Sequence, residues 1–230
     1  MIDSISTGSD GGGDTALGGR GARERRDAGL WYDANYDEGL AAATLRAKDL
    51  AFDYNHARPS DEASRARILH ELIGHLGEHV TIHSPFHVDY GDNVSIGDWT
   101  FINHGAYLMD GATITIGCHC FIGPGFGAYT AQHPLDVEQR RLGLERALPI
   151  SVGDDCWIGA NVSVMPGVTI GAGCVIAAGS LVTKDVPAGH LAMGTPCRPV
   201  RRITNDDKIS PDVLSPTRSE ERRVGKECRS

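Results

Sequence analysis

The chain has 230 residues, 40% hydrophobic but only 6% aromatic, and a formal net charge of −8. That balance argues against a nonspecific binder of nucleic acid or of an anionic membrane, and no apolar run reaches the ~18 residues of a membrane span. The N-terminus lacks a signal-peptide core and the cysteines lack CxxC spacing, so a cytoplasmic setting with reduced thiols is expected.

Residues 1–29 contain GSDGGGD and GGRGARERRD with almost no aliphatics. Such a segment buries too little surface to offset its ordering entropy and is expected to be a disordered tail. Over residues 30–79 the apolar residues Leu40, Leu45, Leu50 and Phe52, then Ile68, Leu69, Leu72 and Ile73, fall in helical stripes separated by NHARPSD. Asp61 and Glu62, after Pro59 and Ser60, predict the second helix start. A helical cap of this kind would cover the open strand edge of a following solenoid.

Near Val80 a six-residue rhythm takes over and runs to residue 203. Aliphatics stand at Ile96, Ile102, Leu108 and Ile114, slip by two at Ile116, continue at Ile122, and recur at Val152, Ile158, Val164, Ile170, Ile176 and Val182. A helix cannot use this spacing, because six residues advance by about 600° and scatter the aliphatics round the cylinder. Short strand–turn units can, three to a triangular coil, which predicts a parallel β-helix of about five coils. Cys156 and Cys174 fall in small inward slots, where a thiol behaves as a small hydrophobe.

Residues 130–149, TAQHPLDVEQRRLGLERALP, lack the rhythm and must leave the coil as a loop. Beyond Val182, Pro187, Pro196 and Pro199 exclude a long helix. Residues 204–230 form a patternless tail whose end, RSEERRVGKECRS at 218–230, matches an in-frame translation of a common sequencing adapter and is set aside as an artefact.

The run IGANVSVMPGVTIGAGCVIAAGSLVTKDVP followed by GTPCRPVRRI, with SPFHVDYGDNVSIG, WYDANYDEGL and YNHARPSD upstream, resembles the hexapeptide-repeat acyltransferases. Within them it is similar to the maltose/galactoside/nodulation O-acetyltransferase branch. The resemblance implies a mainly β fold, a left-handed parallel β-helix with an N-terminal helical cap; periodicity alone does not give the hand. It further implies acetyl-CoA as acetyl donor, a sugar-like hydroxyl acceptor, no required metal, and a homotrimer with active sites between subunits.

The resemblance places the catalytic base at His133 in TAQHP. A neutral imidazole suits removal of a hydroxyl proton as the oxygen attacks a thioester. It implies acceptor contacts at Asn103 and Asp110, and at Asp89 and Asn35; all four residue types are also common in turns. For the coenzyme it points to Trp157, Ala160, Ala178, Thr183 and Lys184, with Arg198 and Arg201 meeting the phosphates. The amide of Ala160 is expected to face the thioester oxygen. Glu145 lies where the family places an acceptor-side residue of varying type and is left out of the candidate set.

Two rival readings are a zinc enzyme of the γ carbonic anhydrase kind and a catalytically inactive trimeric scaffold. The first needs histidines converging on zinc, but His104, His119 and His133 are not spaced in coil register. His75, His79, His83 and His87 recur every fourth residue, yet Gly74, Gly77 and Pro85 interrupt any helix there. The small Gly127 and Ala128 beside His133 suggest a looser or wider coil at that point.

Overall fold

The computed structural model describes residues 21–210. The glycine-rich stretch 1–20 and the adapter-like end lie outside the described residues. Among the described residues there are four α-helices, α1 (Ala22–Asp27), α2 (Glu38–His56), α3 (Glu62–Leu72) and α4 (Val137–Arg141). None of the described helices is long and apolar enough to cross a membrane.

The first helix corrects the expectation that everything before residue 30 is disordered. Arg26 carries it: the side chain is buried, its guanidinium 4.5 Å from the Tyr90 ring centroid and bonded to Asp27. A cation over an aromatic face is a tertiary contact that composition cannot report. α2 and α3 begin at aspartate caps, Asp37 accepting from the N–H of Leu40 and Asp61 from that of Ser64. The buried face of α2 is Leu40, Ala47, Ala51 and Tyr54, whereas Leu45 and Phe52 are exposed, contrary to the expected stripe. Small alanines let the helix approach the sheet closely, and Tyr54 and Asn55 bond the backbone of Ile82 and Phe86.

Beyond the cap the chain winds into a three-faced parallel β-helix. The first face stacks His75–Leu76, Val94–Ile96, Ile114–Ile116, Ile150–Val152 and Thr169–Ile170. The second runs through Thr81–Ile82, Phe101–Ile102, Phe121–Ile122, Trp157–Ile158, Val175–Ile176 and His190–Gly194, closed by the antiparallel Cys197–Arg202. The third stacks Phe86–Val88, Ala106–Met109, Gly127–Tyr129, Ser163–Val164 and Leu181–Val182. The second face therefore has six parallel layers, and the solenoid opens at His75, ahead of the predicted Val80. Every aliphatic of the six-residue rhythm points inward and is buried. Cys120, Cys156 and Cys174 share this interior, and the five described cysteines carry free thiols.

The phase slip is a property of whole coils. Ser95 pairs with Thr115 and Phe101 with Phe121, a rise of 20 residues per coil, whereas Ser151 pairs with Thr169, a rise of 18. The extra residues sit at the corner between the third and first faces, in the turns after Val88 and after Met109. Asp110, fully buried, holds that corner: its carboxylate accepts from the backbone N–H groups of Asp89, Tyr90, Gly91 and Asn93 in the coil above. In the next coil the same corner opens into the loop of residues 130–149.

Candidate functional site

That loop is a small antiparallel sheet rather than irregular chain. Ala131–Gln132 pairs with Leu144–Ala147, which in turn pairs with Tyr32–Asp33 ahead of the cap helices. The cap and the loop are thus one structure, and His133 follows its edge strand, Ala131–Gln132.

The imidazole of His133 is half exposed, and its Nδ1 lies 3.0 Å from the carbonyl oxygen of Leu144. A carbonyl only accepts, so Nδ1 must carry the proton and the Nε2 lone pair of the neutral ring is left unprotonated. Nε2 stands 3.9 Å from a carboxylate oxygen of Glu145, whose other oxygen accepts from the Tyr32 hydroxyl. Burial, then the bond to Glu145, push Tyr32 ionisation well above the usual phenol range, so it remains a donor. Asp33 pairs with Leu144, its Oδ1 accepting from the N–H groups of Asn35 and Tyr36, and Asn35 lies against Gly143. Asn35 thus lies beside the strand pair that carries Tyr32, Asp33 and Glu145; Glu145 was noted in the sequence but left out of the candidate set, and Tyr32 and Asp33 were not singled out. The sequence signal available was the alternation Tyr32–Asp33 against Leu144–Glu145, visible only once the pairing is known.

Asp89 lies at the end of the third face, where its carboxylate accepts from Tyr107. Burial raises its pKa, and the phenol bond opposes this. Asp110 is corrected: its oxygens are taken up by backbone donors of the corner, so it is a structural staple rather than an acceptor ligand. Burial raises its pKa while those donors pull it back. The expected looseness at Gly127 is also absent, because the Tyr129 phenol folds over that glycine and fills the place of a side chain.

The second face carries a separate feature, a groove of about 620 Å³. Its floor is an outward ladder in strict register, Phe101 to Phe121 to Trp157 to Val175 to Leu191. Phe121 and Trp157 are 61% and 59% exposed, so the ladder presents a continuous apolar strip to its surroundings. Asn103, Ala160 and Ala178 line its edge with Gly123, Pro124 and Gly159. The N–H groups of Ala160 and Ala178 donate to no acceptor among the described residues. Their glycine neighbours leave them open: a Cβ on Gly123 would stand 2.7 Å from the Ala160 nitrogen.

Arg201 pairs with Leu191 and so continues the ladder at the groove's foot. Asp207 grips its guanidinium with two bonds of 2.6 and 2.8 Å. Arg198 pairs with Met193 further along the same hairpin and donates to the Cys197 carbonyl. Thr183 and Lys184 follow the third-face strand and stand at the far corner, outside this groove.

His133 and the groove occupy different corners of one prism, so Trp157, Ala160, Ala178 and Asn103 are brought together while His133 is not brought to them. His104, His119 and His133 likewise sit on separate turns, and no group of three metal-ligating side chains occurs among the described residues.

Comparison with known proteins fits this architecture. The maltose acetyltransferase hexapeptide capping motif matches residues 25–77 and the bacterial transferase hexapeptide model matches residues 149–184. A Saccharomyces cerevisiae protein named as an acetyltransferase is 44% identical over 190 residues, spanning 83% of this chain and 97% of its own. A hexapeptide-repeat acetyltransferase of Vibrio cholerae, solved with acetyl coenzyme A, superposes with a TM-score of 0.75 at 40% identity, covering 81% of this chain and all of the other (100%). A galactoside acetyltransferase solved with coenzyme A superposes with a TM-score of 0.80 at 37% identity, covering 83% and 95%. With the cap, the left-handed coil and the repeat all matched over most of its length, the chain belongs to the hexapeptide-repeat acetyltransferases, in the branch of the maltose and galactoside O-acetyltransferases.

Proposed function

We propose that the protein transfers the acetyl group of acetyl-CoA to a hydroxyl of a sugar or related polyhydroxy acceptor, with His133 as general base. The observation that carries this reading is the His133 Nδ1 bond to the Leu144 carbonyl, which leaves the Nε2 lone pair unprotonated and able to take a proton. The acceptor's hydroxyl proton passes to Nε2 as its oxygen bonds the thioester carbonyl carbon. The resulting oxyanion is stabilised by the open N–H of Ala160, the carbon–sulfur bond breaks, and the thiolate takes up the proton from the imidazolium. The apolar ladder accommodates the pantetheine arm, Ala178 offers it a backbone donor, and Arg201 and Arg198 stand where phosphates would follow. Asn35, Asp89 and Asn103 supply polar groups for the acceptor.

Because base and groove lie on different corners, the complete site is formed between neighbouring copies in a trimer. The related acetyltransferases solved with acetyl-CoA or CoA support the donor. The test is thiol release from acetyl-CoA against glucosides, galactosides, maltose and amino-sugar oligomers. Turnover with a sugar, lost by ~10³-fold or more in His133→Ala, is expected. Mixing inactive His133→Ala with an inactive groove variant should restore activity in mixed trimers. Retained activity in His133→Ala overturns the base assignment, and no recovery on subunit mixing overturns the shared site.

A further inference from the structure

We propose that the corner column of His79, Trp99 and His119 is a second saccharide-binding surface, holding the far rings of a hexosamine oligomer whose near ring is the acceptor. This rests on the reading of the enzyme as a sugar O-acetyltransferase. The column stands where the first face turns into the second. It is stacked coil on coil: the N–H of Trp99 donates to the Glu78 carbonyl, His119 to Asp98, Asp155 to Cys118, Gly173 to Asp154 and Gly189 to Ala172. All six corner residues, from His79 to Gly189, have φ between +55° and +68°. Left-handed backbone of this kind suits glycine, and after it aspartate, asparagine and histidine. Trp99, at φ +59°, departs from that rule and carries backbone strain for doing so.

Burial does not offset that strain, because Trp99 is 55% exposed. His79 props the indole from the coil above at 3.9 Å and 27°, and is the only ring stacked on it among the described residues. A propped, exposed indole is a platform for the apolar face of a sugar ring and, through its quadrupole, for an ammonium group. The charges beside it select an amine. The corner segments GEHV, GDWT, GCHC and GDDC (77–80, 97–100, 117–120 and 153–156) hold four carboxylates and no lysine or arginine. Asp98 and Asp154 each engage one oxygen in a corner turn, at 2.7 Å from the Glu78 N–H and 2.8 Å from the Cys118 N–H. The Glu78 carboxylate has no partner among the described residues. An anionic aromatic column repels phosphates and attracts a cationic sugar.

The column also adjoins the groove. Two residues past Trp99, Phe101 heads the outward ladder, and Asn103 lines the edge beyond it. Trp99 and Asn103 stand four residues apart across the second face, a span of at most about 14 Å. A short oligosaccharide bridges that span, so rings beyond the acetylated one reach the indole. A monosaccharide at Asn103 does not.

The experiment is calorimetric titration of the full-length protein with a β-1,4-linked glucosamine tetramer. The glucose tetramer of the same linkage, with hydroxyls in place of the amines, and the glucosamine monomer serve as controls. The glucosamine tetramer should bind more tightly than either control by about fivefold or more. Trp99→Asn, which suits left-handed backbone, should keep the thermal midpoint native or higher and KM for acetyl-CoA unchanged. It should weaken tetramer binding by about fivefold or more, the weight of one cation–π contact. Glu78→Gln should weaken the glucosamine tetramer by about twofold or more and leave the glucose tetramer unaffected. Native tetramer affinity in Trp99→Asn overturns the proposal, as does equal affinity for tetramer and monomer. Equal binding of the two tetramers overturns the hexosamine assignment. Tetralysine competing as well as the tetramer makes the column a general cation surface and overturns the saccharide assignment. Thiol release separates the two levels. Turnover of sugars with native tetramer binding in Trp99→Asn leaves the acetyltransferase standing and sinks only this inference. Trp99-dependent binding without turnover of any sugar sinks the acceptor reading on which it rests.

Discussion

Asp110 Oδ2 accepts a 2.7 Å hydrogen bond from the backbone N–H of Gly91, tying the corner of one coil to the corner of the next. Gly91 has φ +83°, and a Cβ there would strike the Leu72 carbonyl oxygen, so this turn needs both the glycine and the carboxylate beneath it. Asp110→Asn replaces one acceptor with a donor aimed at backbone N–H groups. Loss of about 2–4 kcal/mol in urea unfolding is expected, since buried donors lose their partner. KM for the acceptor should stay native in the fraction that folds, which separates a staple from an acceptor ligand.

Trp157 gives the opposite result. It stands on the outside of the coil between Phe121 and Val175. Trp157→Ala should leave the thermal midpoint within a degree or two and raise KM for acetyl-CoA by about tenfold or more, because the indole covers ligand rather than core.

Gly123 and Gly153 occupy equivalent turn positions at different corners. A Cβ at Gly123 would meet the Ala160 nitrogen at 2.7 Å, and one at Gly153 would meet the Ala172 nitrogen at 2.5 Å. Both alanine variants should lose about 1–3 kcal/mol of stability by overpacking. Only Gly123→Ala, which covers the open amide of Ala160, should also lower kcat/KM for acetyl-CoA by tenfold or more, by about the weight of one oxyanion donor.

Arg201 holds the Asp207 carboxyl down at about 2, with the Thr204 N–H helping. A depressed folded value means the clamp is fully present above the unfolded carboxylate range and is lost as pH falls through about 2. In Arg201→Ala the Asp207 carboxyl resonance should titrate closer to the unperturbed value of about 3.9. An unchanged midpoint would show that the arginine does not hold it.

The buried positions of the solenoid were legible because each obeys a local rule. Ile96, Ile102, Leu108, Ile158, Val164 and Ile170 all point inward as their spacing requires. The 20-residue rise, which recurs from His75 to Ser95 and from Ser95 to Thr115, was read as a single slip, since the first set of added corner residues is held by Asp110 one coil away. α1 was missed because it is held by Arg26 on Tyr90, a contact between residues far apart in the chain.

The sequence by itself determined the coiled parallel architecture, though not its hand, because inward aliphatics at six-residue intervals suit stacked strand–turn units and not a helix. It also marked His133 through its motif. Only the tertiary structure decided which nitrogen of His133 is free, that Asp110 belongs to the scaffold, and that Tyr32 and Glu145 meet. Those outcomes depend on hydrogen bonds between strands distant in sequence. A hydrogen bond is settled by ångström-scale geometry, whereas burial is settled by the pattern of side-chain types.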